Sequence, residues 1–207
     1  MPVHVLKDKT PEQVRADVEG FAPRYPIDWN GWTGTSIDAK PAILGKILRK
    51  WNATRPLAMR RIRQEAQHDP PFLEDLFDQA HIQVERLGNL TVSTVVNRSP
   101  EQEAALDELW QIFLRLPVER QASCVGITKA IMLMTDGRVG PAFDSSVREK
   151  LDVRGISTST EWIRLLEHVA EDIAAFQAKH GLLSQAVPAR FADLQYGRLY
   201  DMALGPR

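Results

Sequence analysis

The sequence predicts a mostly α-helical protein: a single compact domain, residues 1–207, assembled from one-sided helices. Repeated start signals are the first observation behind this. Thr10-Pro11-Glu12-Gln13 and Ser99-Pro100-Glu101-Gln102 each place a capping hydroxyl before a proline at the first helical position, with a glutamine spaced to reach back to the cap. The second is apolar periodicity. Leu106, Leu109, Trp110, Phe113 and Leu114, and again Trp162, Leu165, Leu166, Val169 and Ile173, recur at intervals of three and four and give each helix one stripe to bury. The third is size, since 207 residues suffice for one well-buried core and are few for two.

Taken in order, the Arg24 to Thr35 segment, with Pro26, Gly31 and Gly34, reads as a loop rich in aromatics. Thr54 before Pro56 and Asp69 before Pro70 are further helix starts. Asn89 to Asn97 is rich in β-branched residues, which favours at most a short strand or an extended linker, with a buried helical turn as the alternative. Ile127 to Thr135 is an apolar helix carrying Lys129. The Gly137 to Pro141 loop breaks it before a new helix opens at Asp144 or Ser145. Lys179-His180-Gly181 is a cationic last turn closed by glycine.

Composition excludes several function classes. No apolar run approaches the ~20 residues that span a bilayer, and the amino-terminal segment lacks an apolar signal core, so a cytoplasmic protein without a membrane partner is expected. A single cysteine, Cys124, rules out an intrachain disulfide framework. The histidines, His4, His68, His81, His168 and His180, show no metal-ligand spacing with one another or with Cys124, so neither metal nor cofactor is expected. P-loop, dinucleotide and nucleophile-elbow motifs are missing.

The net charge of −1 is low for a nucleic-acid binder, but its distribution is uneven. From Ala39 to Gln64 there is no acidic residue, while Lys40, Lys46, Arg49, Lys50, Arg55, Arg60, Arg61 and Arg63 are all cationic. The following acid-rich segment, Glu65 to Glu85, balances them in the total. A segregated field of this kind attracts phosphate locally. Its structural alternative is a pair of solvated helix faces.

Lys129 and Asp144 stand at the mouths of consecutive helices, where they would converge across the loop. Asp144 is placed to cap its helix, which holds the carboxylate rigidly. In that position it would stabilise positive charge developing on a sugar, or activate an attacking nucleophile. Lys129 has apolar neighbours, and desolvation would favour the neutral, nucleophilic amine. A phosphate contact is its alternative role.

Gly126-Ile-Thr-Lys-Ala130 and Asp144-Ser-Ser-Val147-Arg148 together resemble the hairpin and catalytic helix start of the helix-hairpin-helix DNA glycosylases, over roughly residues 115–155. Arg198-Leu-Tyr-Asp-Met-Ala-Leu204 is similar to the closing helix of some diverged members. Two features depart from the family pattern. Leu116-Pro117 is followed by a longer Val118 to Val125 segment with Gly126 alone, and the lysine lies one position late, which turns its side chain by about 100° around the helix.

The resemblance implies a monomeric enzyme that binds double-stranded DNA, extrudes a damaged or enzymatically modified base, and leaves an abasic site. Both DNA repair and defence against modified phage DNA fit that chemistry. It implies Asp144 as catalytic residue, with Lys129 beside it, in a mainly monofunctional enzyme. Gly126, Thr128, Arg138, Lys46, Arg49, Lys50, Arg60, Arg61 and Arg63 would contact DNA, and Tyr25, Trp29 and Trp32 would wall the base pocket. A catalytically silent DNA-binding module and a helical protein-interaction domain are the alternatives.

Overall fold

The computed structural model describes residues 2–53, 73–116 and 122–206, and every regular element among them is helical. Helix α1 (Pro11–Glu19) opens on the expected capping box, in which Thr10 Oγ1 accepts from the Gln13 amide and the Gln13 side chain accepts from the Thr10 amide. Helix α2 (Arg24–Thr33) corrects the loop expectation for Arg24 to Thr35. Pro26 falls in the first turn, where no intrahelical amide is needed. Tyr25, Trp29 and Trp32 lie at helical spacing and all three are buried, so tertiary packing outweighs the weak local propensity. Helix α3 (Lys40–Lys50) buries Leu44, Ile47 and Leu48 and exposes Lys46, Arg49 and Lys50.

Between α4 (Leu73–Leu87) and α5 (Pro100–Leu114), the Asn89 to Asn97 segment takes the second of its two expected forms, since Val92–Asn97 is a buried 3-10 turn and not a strand. Its start is fixed by side-chain bonds between Thr91 and Thr94. Val92 and Val95 are buried, and the segment packs on the long helix Ser159–His180, so β-branched side chains here serve the core and not a ladder.

Helix α6 (Cys124–Met134), capped by Ser123, is buried from Gly126 to its end and packs against α3, α4 and α5. Helix α7 (Ser145–Lys150) starts at Asp144, α8 (Ser159–His180) closes at Gly181 as expected, and α9 (Tyr196–Leu204) is buried from Gly197 onward. The buried apolar side chains of the described residues form one contiguous cluster, so these helices share a single all-α core.

Within that core, Asp172 of α8 accepts the amides of Val5, Leu6 and Lys7 at 3.0, 2.8 and 2.9 Å and the Tyr200 hydroxyl at 2.8 Å. Four donors satisfy a fully buried carboxylate and tie the amino-terminal segment and α9 to α8. Burial beside this carboxylate holds the Tyr200 phenol well above its ordinary range. No helix among the described residues is long and apolar enough to cross a membrane. The helix starts at Thr54 and Asp69, and Arg55, Arg60, Arg61 and Arg63, lie outside the described residues.

Candidate functional site

The two neighbours of the sequence-predicted pair are directly bonded: the Phe143 amide donates to Thr128 Oγ1 at 3.0 Å. This brings Lys129, one residue after Thr128, and Asp144, one residue after Phe143, to the same region of the interior. The intervening loop is shaped by positive φ at Asp136 and Gly137, and the Val92 amide secures it by donating to the Arg138 carbonyl at 2.7 Å. Asp144 acts as the N-cap of α7, its Oδ1 accepting the Val147 amide at 3.1 Å. Exposure is 4% for Lys129 and 9% for Asp144. The Lys129 amine donates to the Trp51 carbonyl at 3.0 Å and lies 5.6 Å from the Tyr25 ring centroid.

Helix α9 adds a second buried pair, the Arg198 guanidinium bonded to the Asp201 carboxylate. Burial raises the Asp201 carboxyl from 3.8 to about 6. The Arg198 charge opposes that rise, Asp144 adds to it and Lys129 opposes it, so three charged groups act on Asp201. Burial likewise draws Arg198 below its ordinary range against the pull of Asp201. Both partners move toward their neutral forms, as expected where desolvation outweighs mutual attraction. Arg198 Nε and Nη2 are buried without a hydrogen-bond partner. Their charge is met instead by aromatic faces, with the guanidinium carbon 4.8 Å from the Trp29 ring centroid and 5.0 Å from that of Phe21.

Close backbone approach makes this arrangement possible. A Cβ on Gly197 would meet the Gly137 carbonyl oxygen and come within 2.8 Å of the Gly140 Cα, so α9 can lie directly on the loop between α6 and α7. Beside Arg198 is a cavity of about 160 Å³ lined by Trp29, Asn30, Arg190, Phe191, Arg198 and others. It combines two aromatic walls, a carboxamide and two guanidinium groups.

The remaining candidates are distributed unevenly. Trp29 lines this cavity, whereas Tyr25 packs edge-on against Trp51 at 5.2 Å, beside the Lys129 amine. Trp32 is fully buried and donates its indole N–H to the Leu133 carbonyl at 2.9 Å, within the core beside the end of α6. Gly126 stands inside the first turn of α6 rather than in a hairpin turn, its hydrogen facing the Ala53 carbonyl. Thr128 donates to the Cys124 carbonyl at 2.7 Å and accepts from Phe143, so its hydroxyl is engaged internally. Arg138 bonds the Gly88 carbonyl. Lys46 and Arg49 are exposed on α3, while Lys50 donates to Asp28 at 2.5 Å.

Arg198 and Asp201 are buried charged groups in this region that sequence reasoning did not assign. Their signal was two charges three apart among Leu199, Tyr200, Met202, Ala203 and Leu204, in a helix with little room for solvated side chains. Metal-ligand geometry arises elsewhere, where the fold brings together His4, His168 and Glu171. No protein-family model, curated protein or solved structure matches the chain.

Proposed function

We propose that the protein is a monofunctional DNA N-glycosylase that removes a damaged or enzymatically modified base from double-stranded DNA. The observation that carries this reading is the joining of the Lys129 and Asp144 segments by the Phe143 to Thr128 hydrogen bond, within electrostatic reach of Asp201 and Arg198. In the reaction, the bond between the sugar C1′ and the base nitrogen breaks, the departing base keeps the electron pair and takes up a proton, and water supplies hydroxide to C1′. A rigidly capped Asp144 suits stabilisation of the cationic sugar or acceptance of the water proton. Asp201, with its carboxyl raised to about 6, suits proton donation to the base. The cavity at Trp29 and Phe191 supplies flat faces for stacking, and the unpaired N–H groups of Arg198 suit an acceptor-bearing base edge. Exposed cations on α3 supply phosphate contacts.

A catalytically silent DNA-binding module is the second reading. It is favoured by the burial of Lys129 and by the internal pairing of Arg198 with Asp201. Base release from a panel of duplexes carrying damaged bases or phage-type modified bases decides between the two. Release from at least one duplex supports the enzyme, and salt-sensitive binding without release supports the silent module. Absence of DNA binding would leave a helical protein-interaction domain.

A further inference from the structure

We propose that His4, His168 and Glu171 form a binding site for a divalent metal ion of the zinc class, bridging the amino-terminal segment and α8. One ligand atom from each residue lies within 4.8 Å of the others. The two imidazole rings stack at 4.1 Å, and His4 Nε2 stands 3.7 Å from Glu171 Oε2. In a tetrahedral zinc site with ligand bonds of ~2.0–2.1 Å, neighbouring ligand atoms are about 3.3 Å apart. The three groups therefore need to close by up to about 1.5 Å, a shift within the reach of the exposed Glu171 side chain and a rotation of the His4 ring.

Two independent features point to a ligand. His4 Nε2 is buried and has no hydrogen-bond partner, the condition a coordinate bond would relieve. His168 Nε2 lies 3.0 Å from the Val3 carbonyl, which can only accept, so that nitrogen carries the proton and Nδ1 presents its lone pair. A metal-bound histidine commonly donates its other N–H to a backbone carbonyl in this way, which fixes the tautomer and the ring plane. The backbone on either side of His4 is already anchored, since the Val3 amide donates to Leu151 and the Val5 amide to Asp172. Three side chains leave a coordination position open. His168 and Glu171 also line a cavity of about 430 Å³, which would admit water or a small oxygen ligand to that position. Imidazole nitrogen with one carboxylate oxygen is a donor set suited to zinc more than to magnesium or calcium.

Calorimetric titration of the full, chelator-treated chain, carrying no affinity tag, with Zn²⁺ alone tests the site. Cobalt(II) absorption would report the coordination geometry. One equivalent of Zn²⁺ is expected to bind, with affinity falling ~100-fold or more in His4→Ala and in His168→Ala. Glu171→Gln is expected to fall by ~10-fold or more, and its exposed position keeps that test clear of folding defects. His81→Ala and His180→Ala are expected to bind as the parent does. Lack of saturable binding by the parent protein, or binding unchanged in Glu171→Gln and in both ligand-histidine variants, would overturn the proposal.

Discussion

The amide of Phe143 donates to the hydroxyl of Thr128 at 3.0 Å, and this bond joins the middle of α6 to the residue before the N-cap of α7. It fixes Asp144 from outside its own helix, while the cap bond to Val147 fixes it from within. A residue whose backbone is anchored on one side and whose carboxylate caps its helix on the other loses little freedom when a transition state forms, which is where preorganised charge contributes most.

Asp144→Asn isolates that charge, because asparagine is an equally good N-cap and the fold should be kept. Base excision on the duplex found active is expected to fall by about 10²–10³-fold, with DNA affinity unchanged. Single-turnover excision measured beside equilibrium binding checks this. Excision near the parent rate in the folded variant would remove Asp144 from the reaction.

Lys129 is expected to position the site rather than to attack the sugar. Its amine is committed to the Trp51 carbonyl at 3.0 Å and walled by Tyr25 and Trp51. Borohydride added during turnover should therefore trap no covalent adduct, and the abasic product should stay uncut until heat or alkali is applied. Efficient trapping that disappears in Lys129→Ala would establish the amine as nucleophile.

Phosphate binding should come from the cationic stretch that begins on α3. Replacing Arg60, Arg61 and Arg63 together, or Lys46 with Arg49, is expected to flatten the dependence of log K on log salt by about 0.9 for each phosphate left unneutralised. Fluorescence anisotropy across a salt series reads that slope, and an unchanged slope would assign these side chains to solvent.

Asp201 should leave a signature in the pH dependence of stability. Its carboxyl is raised from 3.8 to about 6 on folding, so the folded state holds the proton more tightly than the unfolded state does. The associated stabilisation is complete below 3.8 and is lost as pH rises through about 6. The full difference corresponds to roughly 3 kcal/mol. Asp201→Asn removes the titration, so denaturant unfolding should show the variant gaining on the parent between pH ~4 and ~6 and then levelling off. A parent-to-variant difference that stays flat over this range would mean that the buried pair does not titrate there.

Helix boundaries were legible wherever a cap was local chemistry. Thr10 with Gln13, Ser99 with Gln102 and Asp144 with Val147 each lie within a single turn, and the structure forms all three. Arg24 to Thr35 forms a helix where the sequence reads as a loop, and at Asn89 to Asn97 the sequence leaves strand and buried turn open, because both conformations are decided by what they pack against. The buried face of Tyr25, Trp29 and Trp32, and the pair Val92 and Val95, find their partners far along the chain. The same holds for the site. Lys129 and Asp144 were visible because one short loop separates them, whereas Arg198 joins their neighbourhood only once α9 settles against that loop. His4 and His168 share no spacing at all, and only the fold stacks their rings.

Between Gly197 and the loop from Gly137 to Gly140, backbone meets backbone with no side chain between them. This close approach lays α9 directly on the loop, beside the charged interior. The facing wall is made differently, of ring edges from α2 and the end of α3, latched by Asp28 through the Trp51 indole at 2.8 Å and the Lys50 amine. Two kinds of wall therefore enclose the charged interior, backbone against backbone on the glycine side and side chain against side chain on the Trp51 side.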